Sequence, residues 1–336
     1  MILDLKKQSN PFSTGGGGVN FETRTQALFA IALLTQSCVP CLSQTMRAKE
    51  LKFQNKYDGS NTDDFVLVAS DKSGNVSKLY AQIKHEITIS ESLGNDVKSS
   101  TFSEVMNSAW RDFQSDTFDK KNDSIALITG PLPKLDIVNT LPLLEWARYS
   151  SNASDFIKKT NTEGFSSLAK LKKLEAIRKQ LDNANYGQPV TDNELWEFLR
   201  VFYLVWFDFD TKHSVLAHLL SSLIQCYSDE SPTLILSKVI TCVQEYNQNA
   251  GILTLENIPQ EVKSLFQAKN TGDFEKNFLK LQERGLHIYN GISNTIQGVH
   301  ISRDVDLAKI SEAINESNFV FVTGVRGTGK SSIVKD

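Results

Sequence analysis

Five polar residues in the first quarter of the chain have the chemistry of a divalent-cation site. Asp63 and Asp64 stand directly before an apolar stretch, and Gln82 and Lys84 follow two positions apart. Glu22 adds a carboxylate. Carboxylate and amide oxygens bind Mg²⁺ or Mn²⁺, and an ammonium group can orient water and balance the charge of a phosphate. The pattern predicts phosphodiester hydrolysis, with Asp64, Gln82 and Glu22 as metal ligands and Lys84 as the assisting cation.

The element that must position these residues is a β-hairpin. Its first strand is predicted at residues 64–69 and its second at 79–87, with a turn at 71–75 between them. Gln82 and Lys84 share a face because alternate strand residues point the same way. We expect the hairpin to bring Asp64 beside them, and strand phase favours Asp64 over Asp63 as the ligand.

The surrounding pattern predicts an α/β core followed by helices. Helical spacing of apolar residues indicates a helix from about residue 20 to 36, with Glu22 near its start. The remaining core elements are a strand, a helix and a strand, at 51–54, 102–113 and 124–129. The resulting order is αβββαβ with a mixed sheet. Residues 135 to about 290 look almost entirely helical, and 195–209 should form a buried helix.

A plainer interpretation of these residues stays open. A strand face with Gln82 and Lys84 is often a solvated sheet surface, and Asp63-Asp64 is an ordinary turn before a strand. The C-x-x-C pair, Cys38 and Cys41, has neither a second pair nor nearby histidines. Structural zinc usually needs one or the other, so buried or loop thiols are favoured over zinc.

A phosphate loop is predicted near the end of the chain. Residues 324–331 fit G-x-x-x-x-G-K-[ST] and follow the apolar run 319–323, which we expect to be a buried strand. Backbone N–H groups would cradle the phosphates of ATP, Lys330 would reach the outer phosphates, and Ser331 would bind Mg²⁺. The residues of this segment that we expect to contact ATP are Gly324, Gly327, Gly329, Lys330 and Ser331.

The element order, the Asp-Asp pair and the Gln-x-Lys strand together resemble the PD-(D/E)XK restriction-endonuclease superfamily. Within it, the chain is similar to the double-stranded-DNA effector nucleases of prokaryotic antiphage STAND NTPase proteins. Such domains begin with a glycine-rich turn and a helix carrying a glutamate, here Gly15 to Glu22. The resemblance covers about residues 12–130. A short segment, His300 to Arg303, also resembles the stretch ahead of the P-loop in STAND-type NTPases.

The resemblance implies a Mg²⁺-dependent endonuclease for double-stranded DNA, with homo-oligomerisation driven by nucleotide. It implies three segments: a nuclease domain (1–134), a helical extension (135–295) and an NTPase fragment (296–336). Since the sequence ends in the helix expected after the phosphate loop, we do not expect this chain to hydrolyse nucleotide. One departure is Gln82, which replaces the family's usual second acid. Metal affinity should be weaker, or Glu22 more important.

Bulk properties constrain partners and location. Net charge is −3, and residues 1–150 hold 16 basic against 17 acidic residues, so DNA contact must come from a local patch or an oligomer. The longest apolar run, 27–34, is too short for a membrane span, and residues 1–10 do not resemble a secretory signal. We therefore expect a cytoplasmic protein with no membrane contact.

Two other functions remain possible from the sequence. A degenerate nuclease fold could act as an interaction or oligomerisation module, which the neutral Gln82 favours. A plain ATPase with a helical N-terminal domain is disfavoured, because most of the ATPase elements are missing from the sequence.

Overall fold

The computed structural model describes residues 17–54, 59–91, 97–209, 214–266, 271–316 and 320–335. Contacts divide the chain into two units, 1–269 and 270–336. The predicted boundaries at 134 and 295 fall inside these units, and the three-segment division stays a prediction. Residues 15 and 16 of the glycine-rich turn lie outside the described residues.

The first unit is an α/β fold built on a mixed six-stranded sheet. Its strands are β1 (Arg47–Phe53), β2 (Phe65–Ser70), β3 (Val76–Lys84), β4 (Ser124–Thr129), β5 (Phe202–Trp206) and β6 (Ile252–Thr254). Their order across the sheet is β5-β4-β3-β2-β1-β6. Strands β1, β2 and β3 form an antiparallel meander, β6 pairs antiparallel with β1, and β4 and β5 run parallel to β3.

Helices cover both faces of this sheet. They are α1 (Gly17–Thr35), α2 (Val97–Phe113), α3 (Lys134–Arg148), α4 (Ala153–Asn161), α5 (Leu168–Ala184), α6 (Asp192–Val201), α7 (Val215–Tyr227), α8 (Pro232–Gln248) and α9 (Gln260–Lys263). One apolar core joins α1, α7 and α8 to one face, and a second joins helices α2 to α6 to the other. None of the described helices is long and apolar enough to span a bilayer.

The predicted hairpin is confirmed as β2 and β3. Its turn is stabilised by the Asp71 carboxylate, which accepts hydrogen bonds from the backbone N–H groups of Ser73 at 2.8 Å and Asn75 at 2.9 Å. Gly74 takes the left-handed conformation, with φ of 84°, that a residue without a Cβ adopts without strain. The predicted order helix, three strands, helix, strand is present as α1 to β4.

The prediction of a buried helix over 195–209 is wrong for its second half. Helix α6 starts after Thr191, whose side chain forms a capping box with Glu194. The helix ends at Val201, and 202–206 form β5. This segment is rich in aromatic and β-branched residues and lies beside β4, whose backbone groups it satisfies by parallel pairing. The region after residue 135 is therefore mostly helical but supplies two strands, β5 and β6.

The described part of the second unit contains three helices and one pair of short strands, with the predicted phosphate loop before its last helix. These elements are α10 (Thr271–Gly291), β7 (Thr295–Ile296), β8 (Val299–His300), α11 (Asp304–Glu316) and α12 (Lys330–Lys335). The strand expected over 319–323 does not form: Phe319 lies outside the described residues, 320–323 pair with no strand, and Phe321 is 88% exposed. A strand needs neighbours for its backbone groups, and the described residues of this unit form only the β7–β8 pair.

Candidate active site

Four of the five predicted residues, all except Glu22, lie at the open end of the hairpin, away from its turn. Phe65 pairs with Ala81, so continuing the register by one residue places Asp64 opposite Gln82. Lys84 is the last residue of β3. By strand alternation, Gln82 and Lys84 point to the face covered by α2 to α6. The sheet-surface interpretation is therefore wrong, since both faces are covered and Gln82 is only 6% exposed.

Asp64 is the buried acid of this site. Its Oδ2 accepts a hydrogen bond from the backbone N–H of Ile83 at 2.5 Å, so the side chain binds a backbone donor of strand β3. Burial is the main cause that raises the pKa of Asp64 from 3.8 to about 6. The Lys84 ammonium group opposes that rise, whereas the negative charges of Glu22 and Asp63 add to it. The pKa of Asp64 therefore depends on three other charged side chains as well as on burial.

Glu22 lies on helix α1, which packs on the sheet face opposite to the one to which Gln82 and Lys84 point. It approaches Asp64 from that side, through the Gln26 amide that donates both to Glu22 and to the Asp64 carbonyl. The Oε1 of Glu22 accepts hydrogen bonds from the Gln26 amide at 3.1 Å and from the Asn247 amide of α8 at 3.3 Å. Asn247 is itself held by the Gln54 amide, which donates to its Oδ1 at 3.1 Å. One oxygen of Glu22 is thus fixed by two amide donors, which orients the carboxylate.

The segment that leads into β2 is fixed by a residue that sequence reasoning missed. The Asp112 carboxylate of α2 accepts hydrogen bonds from the Asn61 backbone N–H at 2.6 Å and the Thr62 hydroxyl at 2.5 Å. Both donors come just before the acidic pair, in which Asp63 is half-buried and Asp64 is buried. The position of the Asp64 backbone therefore depends on α2 as well as on the hairpin.

The polar atoms around Asp64 include oxygens of the type that a hard divalent cation binds. Asp64 and Glu22 supply carboxylates and Gln82 supplies an amide whose side chain makes no hydrogen bond to a described residue. Gln26 is fully buried, and its Oε1 has no hydrogen-bond partner. A buried acceptor without a donor is costly unless a water or cation satisfies it. Oxygen-rich sets of this kind suit Mg²⁺ or Mn²⁺.

Acidic and imidazole side chains alone do not form a metal site among the described residues. Within the described ranges, no three His, Cys, Asp or Glu side chains group closely enough to hold a metal. The C-x-x-C residues are free thiols: Cys38 is exposed, and burial raises the pKa of Cys41 to about 12. A zinc site at this motif is not supported by these positions.

The end of β3 beyond Lys84 is held by a close backbone contact. The Gly130 N–H donates to the His85 carbonyl at 3.1 Å, and a Cβ at Gly130 would lie 2.6 Å from that oxygen. The His85 ring packs against Phe21 of α1, with ring centroids 5.3 Å apart. Only glycine fits so close to the His85 carbonyl. This contact fixes the end of β3, where Lys84 lies.

In the second unit, the phosphate loop forms a turn that leads into α12. Gly327 and Gly329 have φ of 87° and 75°, conformations that favour glycine. The Lys330 ammonium donates to the Val325 carbonyl at 2.8 Å, so it lies back over the loop. Arg303, from the segment noted ahead of the loop, donates to the Thr328 carbonyl at 2.9 Å. Gly324 of the loop and Ser331, the second residue of α12, are both exposed.

The fold defines a class no narrower than α/β proteins with a mixed sheet. No protein-family model and no curated protein matches the sequence. Among solved structures, the Acinetobacter baumannii Cap4 SAVED/CARF-domain containing receptor with the cyclic trinucleotide 3′3′3′-cAAA is 9% identical, with a TM-score of 0.39 over 70% of this chain and 44% of that chain. The Moraxella osloensis Cap4 receptor is 12% identical, with a TM-score of 0.37 over 71% and 45%.

The chain thus spans less than half the length of these receptors. At such TM-scores and identities, the likeness supports no statement about what this chain binds or catalyses.

Proposed function

We propose that the chain is a metal-dependent endonuclease that hydrolyses phosphodiester bonds of double-stranded DNA. The observation that carries the proposal is that the buried Asp64 lies opposite Gln82 at the open end of one hairpin, on the strand pair that also carries Lys84. The charges of Lys84 and Glu22 both influence the pKa of Asp64, which adds support. The αβββαβ order with an antiparallel meander and a parallel fourth strand adds support, because it is the arrangement expected for a restriction-endonuclease-like core.

Each residue has a distinct role in this proposal. Asp64, Glu22 and Gln82 offer oxygen ligands, and a bound Mg²⁺ or Mn²⁺ would supply an activated water and neutralise charge on the phosphate. Lys84, half-buried and without an ion pair among the described residues, is available to contact a phosphate oxygen and orient the water. Asp63 contributes negative charge beside Asp64, which favours cation binding.

The proton on Asp64 sets a condition on the reaction. With a pKa of about 6, the carboxyl is partly protonated in mildly acidic solution and must lose that proton to act as a ligand. Binding of a cation and a proton therefore compete at this residue. Cleavage at subsaturating metal should rise as pH increases through about 6.

The phosphate loop supports a sensor role for the whole protein. We place ATP at Gly324, Gly327, Gly329, Lys330 and Ser331, and assign nucleotide-dependent homo-oligomerisation to this part. Since the net charge of the chain is −3, one copy offers little attraction to DNA. Assembly that gathers several sites on one duplex would raise cleavage, as suits a cytoplasmic effector of antiviral defence.

Plasmid cleavage tests the nuclease proposal. Supercoiled plasmid is incubated with the 336-residue chain and Mg²⁺ or Mn²⁺, and nicked and linear products are measured. The parent should cut, whereas Lys84→Ala and Asp64→Asn should lose at least about a hundredfold in rate. Lys172→Ala, which removes an exposed lysine on α5, is the matched control and should cut as the parent does.

A second candidate function follows from Gln82. A neutral residue in place of the family's second acid favours a degenerate nuclease fold that acts as an interaction or oligomerisation module. Absence of metal-dependent cleavage in every form, including oligomers assembled with ATP, would leave this second function and exclude the first.

A further inference from the structure

A polar cavity of about 330 Å³ lies at the end of the sheet opposite the candidate active site. Its lining includes the beginnings of three neighbouring strands, at Ser77, Ser124 and Tyr203. Lys84 is at the other end of β3, seven residues beyond Ser77, which corresponds to roughly 23 Å of strand. The cavity is therefore separate from the hairpin site and needs its own explanation.

Positive charge dominates the lining of this cavity. Four cationic side chains reach it from the loop before β4 and from the ends of α3 and α6: Lys120, Lys121, Arg148 and Arg200. The one acid in the lining is Asp123, which is buried. Its carboxylate accepts hydrogen bonds from the backbone N–H groups of Lys78 at 2.7 Å and Asp119 at 3.0 Å. These bonds hold the Asp123 carboxylate in place, while Lys120 and Arg148 pair with Glu197 and Glu145, so the uncompensated charge of the lining comes from Lys121 and Arg200.

Two of the four cations have no acidic partner. Among the described residues, neither Lys121 nor Arg200 forms an ion pair, and both are exposed to the solvent of the cavity mouth. The guanidinium of Arg200 lies 4.8 Å from the centroid of the Trp196 ring, which restricts its position. Lys120, by contrast, is paired with Glu197 at 3.2 Å.

Arg148 is the most rigidly held of the four. Its guanidinium stacks 3.8 Å from the centroid of the Tyr203 ring, and it donates to the Phe202 carbonyl at 2.5 Å and to Glu145 at 2.7 Å. Its remaining Nε–H is buried and has no acceptor. A buried guanidinium donor without an acceptor is costly, so the Arg148 side chain still has unused hydrogen-bonding capacity beside the cavity.

We propose that this cavity binds a compact phosphate-bearing ligand of about the size of a mononucleotide. Its charge surplus and its guanidinium and ammonium donors match phosphate oxygens. Its volume is at the lower end of the range for small-molecule sites, which favours a compact ligand over a duplex. The site is independent of the proposed nuclease activity.

Calorimetric titration tests this proposal. AMP, inorganic pyrophosphate and a short DNA duplex are titrated separately into the 336-residue chain at low ionic strength, with EDTA present so that no metal bridges them to the hairpin site. All proteins carry Lys330→Ala, which disables the phosphate loop as a second binding site. Lys121→Ala and Arg200→Gln should each weaken binding about tenfold or more. Lys172→Ala, with the same charge change on α5, should leave it unchanged.

The outcomes distinguish binding in the cavity from nonspecific attraction of an anion to the charged surface. Binding of either small probe that weakens in Lys121→Ala and Arg200→Gln but not in Lys172→Ala supports the proposal, and a preference for AMP over pyrophosphate would indicate a nucleoside. No binding by either small probe overturns it, as does equal weakening by all three variants. If duplex DNA alone binds and depends on Lys121 and Arg200, the surface is a DNA contact and the small-ligand proposal fails.

Discussion

The carboxylate of Asp64 accepts a hydrogen bond from the backbone N–H of Ile83 at 2.5 Å, across the open end of the β2–β3 hairpin. This bond holds an acid in a buried position next to Gln82 and Lys84 on the neighbouring strand. The burial that makes Asp64 a candidate ligand also raises its pKa to about 6, so the site carries a stability cost at neutral pH.

Replacement of Asp64 by Asn should stabilise the metal-free protein at neutral pH. The pKa of Asp64 is about 6 in the folded chain and 3.8 in the unfolded one, so the folded state binds its proton more tightly. The parent therefore loses stability as pH rises from about 4 to 6, by at most about 3 kcal/mol. Urea unfolding in EDTA should show Asp64→Asn more stable than the parent at pH 7 and equal to it near pH 4.

Addition of Mg²⁺ should reverse this order, because a cation bound only by the folded parent stabilises it and leaves Asp64→Asn unaffected. A variant that is less stable than the parent in EDTA at pH 7 would contradict the assigned burial cost.

Replacement of Gln82 by Glu should strengthen metal binding. The change restores a carboxylate where the resemblance expects an acid, and it adds negative charge beside Asp64 and Glu22. We expect the Mg²⁺ concentration for half-maximal cleavage to fall about tenfold, measured by plasmid cleavage over a metal titration. Gln82→Ala should raise that concentration; an unchanged requirement in both variants would remove Gln82 from the ligand set.

Asn247 is expected to act on the metal through Glu22. Its amide donates to Glu22 Oε1 at 3.3 Å, and its removal frees the carboxylate to rotate. Asn247→Ala should raise the half-maximal Mg²⁺ concentration about tenfold, with little change in cleavage rate at saturating metal. Asn249→Ala, at the residue that follows the end of α8, is the matched control, since Asn249 is exposed and donates to the carbonyl of Glu245 in the same helix. Equal effects of the two variants would exclude the positioning role.

Replacement of Gly130 by Ala should destabilise the chain and lower cleavage together. The new Cβ would lie 2.6 Å from the His85 carbonyl, and backbone must shift to relieve that overlap. We expect a loss of about 1–3 kcal/mol in the free energy of unfolding. Gly18→Ala is the control, because its Cβ would meet no atom within 4 Å and helix propensity favours alanine there. A neutral Gly130→Ala would show that the strand end tolerates movement.

The core order of elements could be predicted because its signals are local. The turn at 71–75 and the alternation in β3 depend on neighbouring residues, and they specify a hairpin without tertiary information. The apolar segment 202–206 is ambiguous on the same basis, since a short buried strand and a buried helix have similar patterns. Pairing with β4 decides between them, and that pairing joins residues far apart in the sequence.

Some contacts of the candidate site could likewise be predicted from local sequence, and others depend on tertiary packing. Gln26 stands four residues after Glu22, so the helical i,i+4 spacing already offered a signal for their hydrogen bond. Asn247 offered none, because it meets Glu22 only through the packing of α8 against α1. The apolar run before the phosphate loop had the composition of a buried strand, but composition cannot supply the neighbouring strands that burial requires.

The most direct test of the central claim is anomalous scattering from a crystal of the chain soaked in Mn²⁺. We predict a manganese peak within bonding distance, about 2.0–2.4 Å, of oxygen atoms from Asp64, Glu22 and Gln82, with the Lys84 ammonium group nearby. A well-ordered hairpin end with no peak, or with manganese bound only elsewhere, would contradict the assignment of these residues to one cation.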